Sequence, residues 1–595
     1  MANSPQLNST AVVKCSVFSE GNALKESFNL ISIVTEKCIN KISSAVLTFE
    51  DGDLPNQKFP MSDSDEFAPG KKITIKAGYG DAEEQIYEGI VVRHGISIAI
   101  NASTLVVECR DSAIAMTIGR KNANYVDKKN SEIITLILGQ YSDLTKDIDD
   151  STTQFPELVQ FNVTDWDYIV ARAESSGLLV LVDDNKVSVK KPSGTSEPLL
   201  TVTYGIDLME FEADVDARNV YKQVKSVGWD LDTLKVVEQA VTPVTINKQG
   251  NLTADTLAQV MSLDIFKLQT TVPLVASALK EWATAKQQKS YLSTICGKML
   301  FQGNASVKLA GQIEVKGVGD RFNGNVFISG IRHEIINGNW TTEIMFGMDS
   351  SWFTETTNVN AESAAGLTAG VDGLMVGIVK QLDEDPEGQN RVQVTIPVLQ
   401  AETEGVWARL IQYYASSGFG NFFIPEIGDE VVIGYFNNDP SNPVILGSLY
   451  SSNHTPPYDL TSDNFIKALV TKSGHKIEFD DDKKVITILT PGGNTLIFSD
   501  EDKSIKVTDV NDNSIALETG GITLNSQKDI TIKATGKITL DAVDKISITS
   551  KADVATAGLN ISNQANVGFT AQGNATAELS ASGQTTVKGA MVMIN

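Results

Sequence analysis

Cysteine and histidine are scarce, at four residues each in a chain of 595. Cys15, Cys38, Cys109 and Cys296 lie far apart with no C-x-x-C pair. That excludes a disulfide frame and a zinc finger, and it suits reduced, buried thiols in a protein made in the cytoplasm. Positive charge is also in deficit: 49 Lys+Arg stand against 74 Asp+Glu, a formal charge of −25. Nucleic acid and an anionic membrane both reward basic excess, so neither is an expected partner. Long apolar runs are missing, since Ile133–Leu138 and Leu178–Val182 fall far short of the roughly 20 residues that span a bilayer, so no stable membrane insertion is expected. Met1–Thr10 has neither the basic start nor the apolar stretch of a secretion signal.

Catalytic motifs are equally thin. His333-Glu334 opens an H-E-x-x-H pattern, but Asn337 stands at the second ligand position. No G-x-S-x-G elbow and no phosphate-binding G-x-x-x-x-G-K-[ST] occurs. Gly317-Val318-Gly319 lacks the third glycine of a dinucleotide fingerprint and reads as a turn. Asp383, Asp385, Glu387 and Gly388 imitate the opening of a calcium loop, yet the twelfth position is Val394, so a hairpin turn is the better account. Asp480-Asp481-Asp482 reads as a solvated turn. The expectation is a non-enzyme with no catalytic residue, no cofactor and no metal.

What is present changes character along the chain. Residues 1–357 read as mixed α+β. Strand alternation appears at Lys72–Lys76, Val187–Val189 and Val326–Ile331, and helical spacing at Ser131–Gln140, Trp166–Ser175 and Pro273–Lys289. Asp165 is the expected cap of the second helix. Residues 358–373, rich in Ala, Gly, Ser and Thr, read as a linker. Residues 374–450 hold five or six short strands separated by turns such as Asp385-Pro386-Glu387-Gly388 and Asn438-Asp439-Pro440, which predicts a small OB-type barrel. A second linker is placed at 451–464.

Residues 465–595 are a repeat. No proline follows Pro491, no tryptophan follows Trp407, and Phe569 is the only aromatic residue after Phe498. Apolar i, i+2 pairs run Ile486/Ile488, Leu496/Phe498, Ile505/Val507, Ile515/Leu517 and Ile522/Leu524, then settle on a period of eight at Ile530/Ile532, Ile538/Leu540 and Ile546/Ile548. Later pairs are Leu559/Ile561, Val567/Phe569 and Ala575/Ala577. Such a pair is a short strand with one buried face. Eight residues reach roughly 25 Å, enough for one wall of a prism but not for a chain to encircle its own core. Three chains side by side close the prism, so the pattern predicts an obligate homotrimer with a β-helix needle. A one-chain solenoid and a disordered Thr/Ser-rich stalk are the competing readings.

Several segments carry a resemblance. Gly377-Ile378-Val379, Gly388-Gln389-Asn390-Arg391-Val392-Gln393-Val394, Trp407-Ala408-Arg409, Pro425-Glu426-Ile427-Gly428-Asp429-Glu430-Val431 and Pro443-Val444-Ile445-Leu446-Gly447-Ser448-Leu449-Tyr450 resemble the OB domain of the VgrG family and of contractile-phage tail spikes. Thr164-Asp165-Trp166-Asp167-Tyr168-Ile169 and Gly319-Asp320-Arg321-Phe322-Asn323-Gly324 are similar to its tail-hub half. The resemblance implies a trimeric spike, assembled in the cytoplasm and ejected through the envelope into a target cell or the medium. Its implied partners are an Hcp-type tube protein, baseplate proteins, a PAAR-type tip protein and effectors. The tip would be bound by Met591, Val592, Met593, Ile594 and Asn595. Type VI secretion is the first setting. A phage-tail or extracellular contractile particle is the alternative, and a polysaccharide-cleaving tailspike comes third. The acid excess lies upstream of the needle, which carries 13 Lys/Arg against 15 Asp/Glu, and this suggests a basic tube rim as complement.

Overall fold

The computed structural model describes residues 3–5, 12–25, 28–100, 102–193, 197–400 and 404–594. It is mostly β and divides into two compact units, Met1–Leu449 and Tyr450–Asn595.

The first unit is organised by a 13-stranded sheet. Its amino-terminal part follows from strict alternation: Lys72–Tyr79 turns Ile73, Ile75 and Ala77 inward, and Ser103–Arg110 turns Leu105, Val107 and Cys109 the same way. These side chains meet Ile33, Leu47, Phe49, Phe67 and Tyr87 in one apolar core. Asn29–Cys38 then pairs with Gly324–Ile336, almost three hundred residues onward, and so joins this core to a second one around Met299, Phe301, Val315, Ile328 and Ile344.

The three helices expected from spacing form at Asn130–Leu138, Asp165–Ser175 and Ala276–Leu292. The first two bury Ile133, Ile134, Ile137, Ile169 and Val170 against the hairpin Leu179–Asp183/Lys186–Lys190. The cap of the second helix differs from expectation. Thr164, not Asp165, is the N-cap, its Oγ1 accepting from the Asp167 N–H at 3.0 Å. Asp165 is already helical, and its carboxylate accepts from Gln160 Nε2, Lys121 Nζ and the Tyr141 hydroxyl at 2.8, 2.5 and 2.6 Å. Burial acts to raise the pKa of that carboxyl, but the three donors more than offset it and hold it below its ordinary value. The third helix starts three residues later than its spacing suggested, because Pro273 to Val275 stay outside the helix.

The stretch read as a linker is tied down where it nears the barrel. Val371 N–H donates to the Asn438 carbonyl at 2.8 Å, and Asn438 Nδ2 donates to Asp372 at 2.8 Å. The barrel is closed by five strands, Met375–Gln381, Val392–Thr395, Val406–Leu410, Pro443–Ser448 and Glu430–Tyr435. Val379, Val392, Val394, Ala408, Val431, Ile433 and Ile445 fill it. Gly388, at φ 64°, lets the turn after Asp385 reverse the chain.

The second unit begins with a seven-stranded antiparallel meander from Ile466–Val470 to Gly521–Asn525. Residues 526–594 follow as extended chain with no strand assigned and every residue but Ser526 exposed. The octad reading treated each apolar pair from 486 onward as one wall of a multi-chain prism. Between 466 and 525 the strands pair instead with their own chain. The physical reason lies in the turns. Lys484, Gly493, Lys503 and Asp512 all take positive φ, and Asp509 accepts from the Asn511 and Asn513 N–H groups at 2.9 Å each, so the chain folds back after every five-residue strand.

Candidate interaction surface

The meander puts its apolar pairs into two continuous columns. Ile488 faces Leu496, then Val507, Ile515 and Leu524 in succession. Beside it, Phe479 faces Ile486, then Phe498, Ile505, Leu517 and Ile522. The opposite face carries Lys476 paired with Glu478 at 2.8 Å and Lys506 paired with Glu518 at 2.9 Å. A sheet with one apolar and one charged face normally buries the first. Here the apolar columns stay open: Val507 is 43% exposed and Phe498 40% exposed. A groove of about 540 Å³ runs along the first column, lined by Ile488, Leu496, Val507, Ile515, Leu524 and Ile530.

The extended chain continues the pattern. Ile530, Ile532, Ile538, Leu540, Ile546 and Ile548 are all more than half exposed. Its backbone has no sheet partner within residues 526–594, so apolar side chains and strand edges are uncovered together. Met591, Val592, Met593 and Ile594 are exposed as well, the last at 92%. Asn595 lies outside the described residues. The sequence pattern did not point to the groove. The signal for the groove was the nine- or ten-residue spacing of the pairs before Ile522 and the turn-forming residues between them.

The motifs set aside in the sequence sit in structural roles. His333 lies on the strand Gly324–Ile336, is buried, and its Nδ1 is 3.0 Å from Thr342 Oγ1. Burial, helped by Lys37 and Lys308, pushes the ring pKa down to about 3, so it stays neutral. Asn337, at φ 51°, occupies the turn of the hairpin that His333 belongs to. Gly317 and Gly319 also form a hairpin turn, with Val318 N–H donating to Asn323 Oδ1 at 3.0 Å. Asp385 is locked by Arg391, whose Nη2 and Nε donate to it at 2.7 and 3.1 Å, and by the N–H groups of Glu387, Gln389 and Arg391. The Arg391 guanidinium holds that carboxyl well below the usual carboxylate range. Among the described residues no cluster of three or more His, Cys, Asp or Glu side chains is arranged to hold a metal ion. The four cysteines are free, Cys109 buried and the others half-buried. No helix among the described residues is long and apolar enough to cross a membrane.

Known proteins match in two places. The Alg8 N-terminal domain matches residues 9–337, more than half of the chain, and the type VI secretion system/phage-baseplate injector OB domain matches residues 375–450. The type VI secretion system spike protein VgrG3 of Vibrio cholerae is 32% identical over 117 residues, 18% of this chain and 11% of that protein. VgrG1a of Pseudomonas aeruginosa is 32% identical over 90 residues, 14% of each. The actin cross-linking toxin VgrG1 of V. cholerae is 36% identical over 101 residues, 15% of this chain and 9% of the toxin. The chain thus spans less than a fifth of the length of these curated relatives. Among solved structures, the 43 kDa tail protein of prophage MuSo2 from Shewanella oneidensis aligns at a TM-score of 0.43 and 11% identity, over 57% of this chain and 98% of that one. The lidless PdpA-VgrG complex aligns at 0.39 and 10%, over 87% and 98%. By residues 9–337 the chain belongs to the Alg8 N-terminal domain family, while residues 375–450 are similar to the injector OB domain and short stretches are similar to VgrG spike proteins.

Proposed function

We propose that three copies of this chain form the central spike of a contractile injection machine. The observation that carries the reading is the uncovered apolar face of residues 466–594. Two columns of Ile, Leu, Val and Phe, followed by apolar pairs on the chain beyond residue 525, stay in water unless other copies cover them. Three identical walls bury these side chains on a common axis and supply the missing strand partners at once.

In this assembly residues 1–357 are the hub that docks on an Hcp-type tube within the baseplate, 374–450 the barrel, and 465–595 the needle, with linkers at 358–373 and 451–464. Met591–Ile594 present methionine and isoleucine to a PAAR-type cone. The chain acts as a carrier of tip and effectors and not as an enzyme. It assembles in the cytoplasm and is expelled with the tube into a target cell or the medium. A machine of the phage-tail or extracellular-particle kind is a second reading, favoured by the injector OB domain, whose description covers type VI secretion and phage baseplates alike.

In a strain that carries the machine, deleting this gene should stop release of the tube protein into the medium, and the full chain should restore it. A strain that still releases its tube without the chain contradicts the reading. Removing residues 590–595 should abolish co-purification with the cone while leaving the trimer, and retained cone binding would move the tip elsewhere.

A further inference from the structure

A solvated turn accounts for only part of Asp480-Asp481-Asp482. Asp480 Oδ1 accepts from the N–H groups of Asp482 and Lys483 at 3.1 and 3.0 Å, and Asp481 is paired with Lys467. Asp480 and Asp482 also line a pocket of about 590 Å³ that lies wholly within the second unit, and Asp459 and Asp463 line it with them. No Lys, Arg or His is among its lining residues. Among the described residues the carboxylates of Asp459, Asp463 and Asp482 have no partner. The segment 450–464, read from the sequence mainly as a linker, forms one wall and is tied to the meander. The Tyr458 hydroxyl donates to Glu478, and Lys476 Nζ lies 5.9 Å from the centre of the Tyr458 ring. The pocket is therefore built before any ligand arrives.

We propose that this pocket receives an arginine side chain presented by a protein of different sequence. Four carboxylates with no lining cation call for a positive ligand. They do not converge as a metal ion requires. The walls add aromatic rings: Tyr450 is 71% and Phe465 42% exposed, and both line the pocket. A planar guanidinium stacks on such rings while its several donors reach more than one carboxylate, which the point charge of an ammonium matches less well. The volume falls within the roughly 300–1,000 Å³ of ligand pockets. The chain's own sequence says where the arginine comes from. Residues 450–595 hold 13 lysines and no arginine, so no neighbouring copy of this unit supplies one. The pocket is also on the accessible side. Ile466 and Ala468, which line it, pair with Asp480 and Glu478 on the charged face of the meander, whereas Phe479 points to the apolar columns. Closing those columns against other copies, as in the trimer reading above, leaves the pocket facing outward.

The test is saturation-transfer NMR on the full chain with an acetyl-alanyl-arginyl-leucyl amide, in about 0.15 M salt so that diffuse attraction to an acidic protein is screened. The comparison peptides carry lysine, or citrulline, which keeps the shape of arginine without its charge. The arginyl peptide should bind about tenfold more tightly than the citrullyl one and about threefold more tightly than the lysyl one. Asp463→Asn with Asp482→Asn should weaken the arginyl peptide about tenfold. Glu518→Gln, which removes a charge from the same face outside the pocket, should leave its affinity unchanged. Equal binding of the arginyl and citrullyl peptides, or of the arginyl and lysyl ones, overturns the inference. Binding undiminished in the double variant, or lost equally with Glu518→Gln, does so too. A double variant that sediments at a lower mass than the parent would make the pocket a contact between copies and also overturn it. The expected pattern on a parent of single-chain mass would support the pocket while failing the trimer reading.

Discussion

Replacing Val507 by Glu examines the uncovered face at its centre. Val507 lies between Leu496 and Ile515 in the first apolar column. In one chain it is 43% exposed, so a carboxylate there can reach water and the meander should still form. In a trimer the three copies face a common axis. Burying what remains exposed of each valine is worth about 0.6–1.3 kcal/mol, taken as that fraction of a fully buried aliphatic side chain. The carboxylate costs more, several kcal/mol per ion when it is desolvated without a partner, and three like charges repel in addition. For three chains the penalty is on the order of 10 kcal/mol, about seven decades in association constant. Sedimentation equilibrium at micromolar concentration should therefore give the 64.1 kDa single chain for Val507→Glu, with the β signal in circular dichroism retained. Lys506→Ala, one residue away on the charged face, removes only its ion pair with Glu518 and should leave the mass of the parent. A Val507→Glu protein that sediments with the parent's mass would refute the claim that this face is the seam.

Three further outcomes follow from the first unit. Thr164→Ala removes the acceptor for the Asp167 N–H and should cost about 1 kcal/mol in unfolding free energy measured in urea, whereas Asp165→Ala should act through Lys121, Gln160 and Tyr141. His333, held near a pKa of about 3 when folded against 6.5 when free, makes the unfolded state the better proton acceptor below neutrality. Stability should fall as pH drops from 6.5 to 5, by about 2 kcal/mol from this group, and a His333→Gln protein should lack that part of the slope. Asp385, depressed by Arg391, contributes stability that is full above the ordinary carboxylate pKa and is lost only as pH falls through the lowered value. Asp385→Asn should lower the barrel's thermal midpoint and speed hydrogen exchange at the Gln389 and Arg391 amides.

Local chemistry was the legible part of this sequence. The barrel could be read because its strands are short, alternate cleanly, and are punctuated by Asp-Pro and Gly-Asp turns that act over four residues. The helices could be read from 3.6-residue spacing, but Thr164 and Asp165 are both good caps, and choosing between them requires knowing that Lys121, Gln160 and Tyr141 claim the Asp165 carboxylate. Sheet order in the first unit was hidden, since nothing near Ile33 announces that its partner is Ile335. In the second unit the apolar pairs were plain and their grouping was not. Octads and hairpin strands both show an i, i+2 pair, and only turn residues such as Asn511-Asp512-Asn513 separate them. Hence the groove along Leu496 and Val507 was missed.

The central claim concerns how many chains cover the face. Native mass spectrometry of the full, unmodified protein, sprayed from neutral volatile buffer, measures this directly. Three times 64.1 kDa, persisting at nanomolar concentration, is the predicted result. A dominant ion series at 64.1 kDa would contradict it.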